Sequence, residues 1–452
     1  MENEKMIDRS DERLPISKLI PLGLQHVLAM YAGAIAVPLI VGAAVGLNAT
    51  QIAMLVALDL FACGIATLIQ ALGIGNFAGV KLPAILGCSF AAVSPLISIG
   101  TTSDMRTAYG AILVAGLIVV IIAPLYGKIL RFFPTVVTAT TLTMIGLSLI
   151  PVAITNMGGG SGVEDFGAPK YLGLALFTIL IVIVCNRFFK GFAQSLSVLI
   201  ALVVGTIVAI PLGLVDMSVV SEAAWFGLPR VFYLGAPKFE LSSIGLMTIV
   251  MLIIMVESTG SFMGLARICG KKIGEKELVK GFRAEGLATI VGGVFNSFPY
   301  TTFAQNIGLV TMTKVFSRWV VVASGGILML LGLCPKFAAL ATIIPAPVFG
   351  GATGIMFAMV ALSGIQSLGG VDFSKTSNML TAAVPLTLGI GITVNSSILS
   401  KMPSVIHTIF SSAIATTALS AILLNAILNW GDKSAHGNED SAVDAGGNSK
   451  HI

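Results

Sequence analysis

The chain has 452 residues, of which 56% are apolar and 10% are charged. A typical soluble domain is about 25% charged, and a mean hydropathy of +0.97 is too high for a protein that faces water on all sides. The composition excludes an ordinary soluble enzyme and indicates a polytopic membrane protein. The net charge of +5 includes no long basic run of the kind that binds nucleic acid.

Apolar runs of about 20 residues, the length that crosses the hydrocarbon of a bilayer, occur along most of the chain. We predict an all-α membrane protein with fourteen spans, near 19–44, 50–72, 79–100, 107–126, 133–153, 171–187, 192–214, 243–264, 279–297, 298–313, 318–335, 337–364, 375–395 and 405–429. Pro and Gly interrupt the third and tenth segments, where we expect short extended strands.

The two ends of the chain are polar. No apolar stretch with a small-residue cleavage site follows residues 1–18, so we do not expect a signal peptide there. Residues 431–452 have a composition typical of disorder. With an even number of spans, fourteen Lys and Arg residues fall in inner loops and six in outer loops. The positive-inside rule therefore predicts that both termini are cytoplasmic.

The five cysteines lie mostly in apolar segments, without the spacing of a disulfide framework or a metal site. They are Cys63, Cys88, Cys185, Cys269 and Cys334. We predict structural thiols, no metal and no cofactor.

The two halves of the chain resemble each other. K-L-P-A-I-L-G-C-S-F at 81–90 has the same character as S-F-P-Y-T-T-F-A-Q-N at 297–306, and F-P-T-V-V at 133–137 is echoed by I-P-A-P-V at 344–348. Seven spans per half force opposite orientations, which gives an inverted repeat. Paired broken segments of this kind indicate a transporter's substrate site. The alternative is a pair of merely kinked helices.

Glu257 is an isolated acid in M-L-I-I-M-V-E-S-T-G-S-F. A charged group in the bilayer costs at least about 2.5–3.5 kcal/mol, so it needs a reason to be there. A carboxyl group at this position can exchange a proton or accept hydrogen bonds from the N–H groups of a ligand. The alternative is a carboxylate that is tied to a helix end.

Three further ionisable residues lie in apolar runs. Glu285 follows Arg283, so a functional role competes with an ion pair or a helix cap near the cytoplasmic boundary. Asp59 has no polar companion in sequence, which favours hydrogen bonding between helices. For His26, a polar contact between helices is favoured over a proton relay.

The stretch around Gln305 and Asn306 is the richest in polar groups, at a predicted break between a strand and a helix. Amide groups read donors and acceptors on a planar ligand, and Phe90 in the first half can stack on its face. Two helix N-termini directed at the same place favour partial negative charge. Together these features describe a site for a flat heterocycle that is rich in hydrogen-bonding groups.

The sequence resembles the nucleobase–ascorbate transporters, also called nucleobase:cation symporter 2, over roughly residues 18–430. Their signature, Q/E/P-N-x-G-x-x-x-x-T followed by R, K or G, is matched at every fixed position by 305–314. The Gln25-His26 and Ser89-Phe90 pairs and V-E-S-T-G around Glu257 match as well. In two positions the chain departs from many members: Glu285 replaces Asp, and Ala304 replaces Ser.

The resemblance implies two inverted seven-helix repeats that form a core and a gate, usually in a homodimer in which the core moves against the gate. The corresponding parts are the N-terminal tail (1–18), the core (19–126 and 243–335), the gate (127–214 and 337–429) and the C-terminal tail (431–452).

The resemblance also implies roles for individual residues. Glu257 and Gln305 would hold the base by hydrogen bonds, and Phe90 would stack on it. The implied substrate-binding residues are Glu257, Gln305, Phe90, Ala304, Ser89 and Asn306. The implied residues for proton coupling and conformational support are Glu257, Glu285, His26 and Thr313.

The function that the resemblance implies is import of uric acid, xanthine or both across the inner cell membrane, coupled to protons. Its expected partners are the purine base, membrane lipid and a second copy of the chain. The alternatives are a permease for uracil or another nucleobase, an anion carrier resembling the sulfate permeases, and a passive channel. A membrane-embedded enzyme is disfavoured, because the spans contain no nucleophile–base pair or metal motif such as HExxH.

Overall fold

A computed structural model describes residues 8–429. The predicted disordered tail at 431–452 lies outside them. Helices of ten or more residues are numbered α1 to α14 in chain order. The first half contains α1 (Ile16–Ala44), α2 (Ala49–Leu72), β1 (Leu86–Cys88), α3 (Val93–Thr102), α4 (Met105–Ile122), α5 (Thr135–Met157), α6 (Pro169–Phe188) and α7 (Ser197–Ala209).

The second half repeats this order of long helices around one broken segment. It contains α8 (Leu241–Cys269), α9 (Glu275–Val294), β2 (Tyr300–Thr302), α10 (Ala304–Thr313), α11 (Arg318–Gly332), α12 (Ala346–Leu368), α13 (Thr376–Val394) and α14 (Ala413–Leu428). Shorter helices cover Tyr126–Leu130, Phe192–Ser195, Ser218–Glu222, Pro335–Thr342 and Ser404–Phe410.

Eight helices in residues 8–429 are long and apolar enough to cross a membrane. They are α1, α2, α4 with its extension to Leu130, α5, α6, α8, α12 and α13. The prediction of a helical polytopic membrane protein is confirmed. The count of fourteen spans stays a prediction, because several apolar helices are shorter than a bilayer requires.

Two predicted segments are broken in the structure. The segment predicted at 337–364 begins inside the short helix Pro335–Thr342, which bends by 83° from α11, and α12 starts only after Pro345. Pro disfavours helical geometry in the residue before it, and this explains the break. The segment predicted at 405–429 breaks at Ser412, whose side chain accepts a hydrogen bond from the Ala415 N–H and caps α14.

The two strands pair antiparallel, with Leu86 opposite Thr302 and Cys88 opposite Tyr300. They lie in the Pro/Gly-broken third and tenth segments. Gly87 is required at the centre of β1, because a Cβ there would lie 2.6 Å from the Phe303 ring. The pairing brings the starts of α3 and α10 into the same region and satisfies backbone groups that broken helices would leave free.

The helices form two groups that pack mainly within themselves. In one group α2 packs against α11, and α4 packs against α8 and α9; in the other α12 packs along α5 and α6, and α13 along α14. Small residues allow close approach, since a Cβ on Gly146 of α5 would collide with the backbone of Ala361 of α12. Packing does not show movement, so the division into core and gate stays a proposal.

Candidate functional site

Glu257 lies in the middle of α8 and lines a cavity of about 350 Å³. The cavity lies between α8 and the first half of α5, which contributes Thr135, Thr138 and Thr141 to its wall. The position of Glu257 within α8 excludes the alternative of a carboxylate at a helix end. A carboxyl group beside hydroxyl groups in a largely apolar cavity is suited to binding a small ligand that carries N–H groups.

Glu285 is fully buried in the middle of α9. Its Oε1 accepts hydrogen bonds from Ser258 Oγ (2.5 Å) and Thr302 Oγ1 (3.4 Å), whereas its Oε2 has no partner among the described residues. Arg283 instead stacks over the Phe77 ring, 4.6 Å from its centroid. The ion pair with Arg283 and the helix cap, both considered from sequence, are therefore not what holds Glu285.

Glu257 and Glu285 are close enough to interact electrostatically. They are joined through Ser258, which follows Glu257 in the chain and donates to Glu285. The structure thus brings together the two acids that were predicted to couple a proton.

Phe90 begins a single 3-10 turn before α3 and is half-buried. Its ring packs edge-on against Phe357 of α12, with 5.5 Å between ring centroids and an interplanar angle of 81°. Ser89 is buried, and its hydroxyl oxygen accepts a hydrogen bond from the Ala91 N–H. Ser89 therefore acts as a cap that fixes the backbone of Phe90.

Ala304 and Gln305 lie exposed in the first turn of α10. They do not belong to the lining of the cavity at Glu257, and neither does Phe90. The predicted substrate-binding side chains thus occupy neighbouring elements that β1 and β2 join, rather than the wall of one described cavity.

Asn306 and His26 meet in the structure. The Asn306 amide nitrogen lies 3.0 Å from His26 Nδ1 and donates to the His26 backbone carbonyl at 3.1 Å. Both residues are buried, and Asn306 Oδ1 has no partner within residues 8–429. His26 therefore makes the predicted polar contact between helices, which ties α1 to α10.

Thr313 lies at the other end of α10. Its hydroxyl group donates to the Leu309 carbonyl at 2.8 Å and accepts from the Val315 N–H at 3.4 Å, just before Lys314 takes a left-handed conformation with φ 54°. In this structure Thr313 fixes the end of the helix that carries Gln305 and Asn306.

The structure contains a cluster of buried polar residues around Asp59 that the sequence did not predict as a cluster. The Asp59 cluster consists of Asp59, Cys63, Cys88, Ser297 and Tyr300, all buried. Asp59 Oδ1 accepts hydrogen bonds from Ser297 Oγ, from Cys88 Sγ at 2.8 Å and from Tyr300 Oη at 3.0 Å. Its Oδ2 is 3.6 Å from Cys63 Sγ.

The Asp59 cluster joins segments that are distant in the sequence. Asp59, Cys63 and Cys88 lie close enough together to hold a metal ion, a proximity that the spacing of the cysteines in sequence does not show. In the structure the two thiols donate to Asp59, whose Oδ1 also accepts from Ser297 and Tyr300. The cluster joins α2 to both strands, as expected for an acid that hydrogen-bonds between segments.

Comparison with known proteins places the chain in a family. Residues 17–398 match the family described as the Permease family. The chain is 47% identical to the uric acid permease PucJ of Bacillus subtilis, over 92% of this chain and 94% of the relative. It is 46% identical to the xanthine permease of the same organism, over 91% and 94%.

Among solved structures, the chain is similar to the transmembrane domain of the bicarbonate transporter BicA of a cyanobacterium. The TM-score is 0.57 at 16% identity, over 92% of this chain and 99% of that one. At this identity the likeness concerns the fold alone. The chain belongs to the Permease family of membrane transporters, the nucleobase–ascorbate transporters that its motifs resemble, and not to a family of enzymes.

Proposed function

We propose that the chain is a proton-coupled purine permease that imports uric acid, xanthine or both across the inner cell membrane. The observation that carries the proposal is the carboxyl group of Glu257, which lines a cavity of about 350 Å³ in a chain whose relatives include permeases named for these two purines. A carboxylate accepts hydrogen bonds from the ring N–H groups that purines present.

The other predicted residues complete the binding site in this proposal. Gln305 at the start of α10 reads the donors and acceptors of the base, and the ring of Phe90 stacks on it after leaving Phe357. Backbone groups of Phe90 and Ala304 contribute, and Ser89 and Asn306 hold these segments in place by the hydrogen bonds described above.

Transport would follow an elevator-like alternating access. The group containing α1–α4 and α8–α11 forms the core and carries the base, and the group containing α5–α7 and α12–α14 forms the gate. A proton on Glu257 or Glu285 accompanies the base, with His26 and Thr313 in support. The protein acts as a homodimer with both termini in the cytoplasm.

The alternative substrates differ in the hydrogen-bond donors that they can present to Glu257. An inorganic anion, as carried by a transporter of the same fold, has no N–H groups for a carboxylate to accept. Uracil does have them, so a uracil permease is the second candidate; the chain is also 34% identical to the uracil permease of Paenibacillus larvae. Gln305 favours purines, because members similar to uracil permeases tend to have Glu at this position.

Uptake of radiolabelled uric acid and xanthine, side by side in cells that lack their own purine carriers, tests the proposal. Uracil and bicarbonate are included as competing substrates. We expect saturable uptake of at least one purine, lost in Glu257→Gln and kept in the control Glu240→Gln, which changes an acid just before α8 that is bonded to Ser242. Uptake of uracil or bicarbonate alone, or purine uptake that persists without a proton gradient, would overturn the proposal.

A further inference from the structure

Ser258 occupies a junction between three elements. It is fully buried in α8, directly after Glu257. Its Oγ donates to Glu285 Oε1 of α9 at 2.5 Å and lies 3.1 Å from Thr301 Oγ1 of β2. Successive residues of a helix are turned by about 100°, so Glu257 borders the cavity while Ser258 is directed into the protein.

β2 connects this junction to the predicted binding residues. Thr302 donates to the same oxygen of Glu285, and the chain runs from Thr302 through Phe303 directly into α10 with Ala304. We call Ser258, Glu285, Thr301 and Thr302 the Ser258 network. It joins α8, which carries Glu257, to β2, the strand that leads to Gln305.

A hydroxyl group has one proton to donate and lone pairs to accept with. When Glu285 is ionised, Ser258 donates to Oε1 and its own oxygen accepts from Thr301. When Oε1 carries a proton, the Ser258 oxygen accepts a hydrogen bond from that O–H group and the Ser258 hydroxyl group donates to Thr301. The two hydrogen bonds of Ser258 therefore reverse their direction when Oε1 of Glu285 gains or loses a proton, and Ser258 keeps both bonds in either state.

We propose that Ser258 is a positioning residue, whose hydroxyl group links the protonation state of Glu285 to the helix that carries Glu257 and to the strand that leads into α10. This inference rests on the proposed proton-coupled function. It adds a residue that touches neither the cavity nor the base but joins the two acids to the binding segments.

The other titratable groups on the elements around α9 do not hydrogen-bond to Glu285 in the described part of the chain. Glu257 is close enough to interact electrostatically with Glu285. Among the other groups, Asp59 of α2 bonds to Cys63 of the same helix and to Tyr300 of β2, and Tyr126 bonds to Thr259 of α8. The hydroxyl group of Tyr109 of α4 has no partner in the described part of the chain.

The test uses the purified full chain in proteoliposomes and two assays with labelled purine. One measures accumulation driven by an imposed proton gradient, and the other measures counterflow, the exchange of labelled for unlabelled base without a gradient. For Ser258→Ala we expect accumulation to fall by about tenfold, as for the loss of a hydrogen bond to a charged group, and counterflow to stay within about twofold of wild type. Ser258→Thr, which restores the hydroxyl group, should recover accumulation.

A second pair of variants covers the case in which position 258 does not tolerate change. Thr301→Val, which removes a hydroxyl group at constant shape, should give the same separation of the two assays, and Thr301→Ser should not. Ser243→Ala is the matched control, because Ser243 is a buried serine of α8 that bonds to Glu240 instead.

Results on the variants test the role of Ser258, and results on the wild type test the proposed function. Full accumulation in both Ser258→Ala and Thr301→Val, or equal loss of accumulation and counterflow, would overturn the role of Ser258. Wild-type protein that does not respond to the proton gradient would overturn the proposed function, and this inference with it. That failure appears in the wild type, so it is distinguishable from the failure of Ser258 alone.

Discussion

Two buried acids of this protein have opposite surroundings. Both carboxylate oxygens of Asp59 are occupied by donors of the Asp59 cluster, whereas Glu285 has one oxygen bonded to Ser258 and one without a partner among residues 8–429. Glu257, beside the Ser258 network, faces a cavity. A carboxylate with all its bonds satisfied stabilises one structure, whereas a carboxyl group with unused capacity remains able to bind a ligand or a proton.

The largest expected effect is a loss of transport in Glu257→Gln without a loss of stability. Glu257→Gln keeps the size of the side chain but replaces one acceptor oxygen with a donor, so it loses hydrogen bonds to N–H groups of the base. A hydrogen bond to a charged group contributes about 1.5–3 kcal/mol, so transport should fall by about 10- to 100-fold. The melting temperature in detergent should stay at the wild-type value. A lower melting temperature with unchanged transport per folded molecule would show that Glu257 stabilises the structure and does not bind the base.

The opposite result is expected for Asp59→Asn. Ser297, Tyr300 and Cys88 all donate to Oδ1, which the oxygen of the new amide group can replace, so its NH2 group takes the place of Oδ2 and faces Cys63, itself a donor to Asp59. A buried donor or acceptor left unsatisfied costs about 1–3 kcal/mol of stability. Thermal unfolding should show a lower melting temperature, while the folded fraction keeps its apparent KM for purine. Normal stability combined with a changed KM would place Asp59 in the binding site.

A smaller effect is expected at the contact between Phe90 and Phe357. Aromatic pairs contribute about 0.5–1.5 kcal/mol beyond burial of their area. Phe90→Leu removes this contact and also the stacking on the base, so KM should rise. Phe357→Leu removes the contact alone and should leave KM nearer to wild type. Equal KM values in the two variants, measured by initial uptake rates, would contradict stacking by Phe90.

The sequence was sufficient to predict the apolar helices, the two broken segments and the isolated position of Glu257, because each depends on local composition. It was not sufficient for the Asp59 cluster, whose members lie at 59, 63, 88, 297 and 300 and meet only when β1 and β2 pair. The surroundings of Glu285 could not be decided from the sequence for a related reason. The neighbouring Arg283 left an ion pair open, but its guanidinium group lies over Phe77.

Calorimetric titration of xanthine and uric acid into the purified protein tests the central claim most directly, because it measures binding without transport. Wild type, Glu257→Gln and Asp59→Asn are compared under the same conditions. We predict binding of at least one purine to wild type and to the folded fraction of Asp59→Asn, with Kd at least about tenfold weaker in Glu257→Gln. Equal binding by wild type and Glu257→Gln would contradict the assignment of Glu257 to the purine.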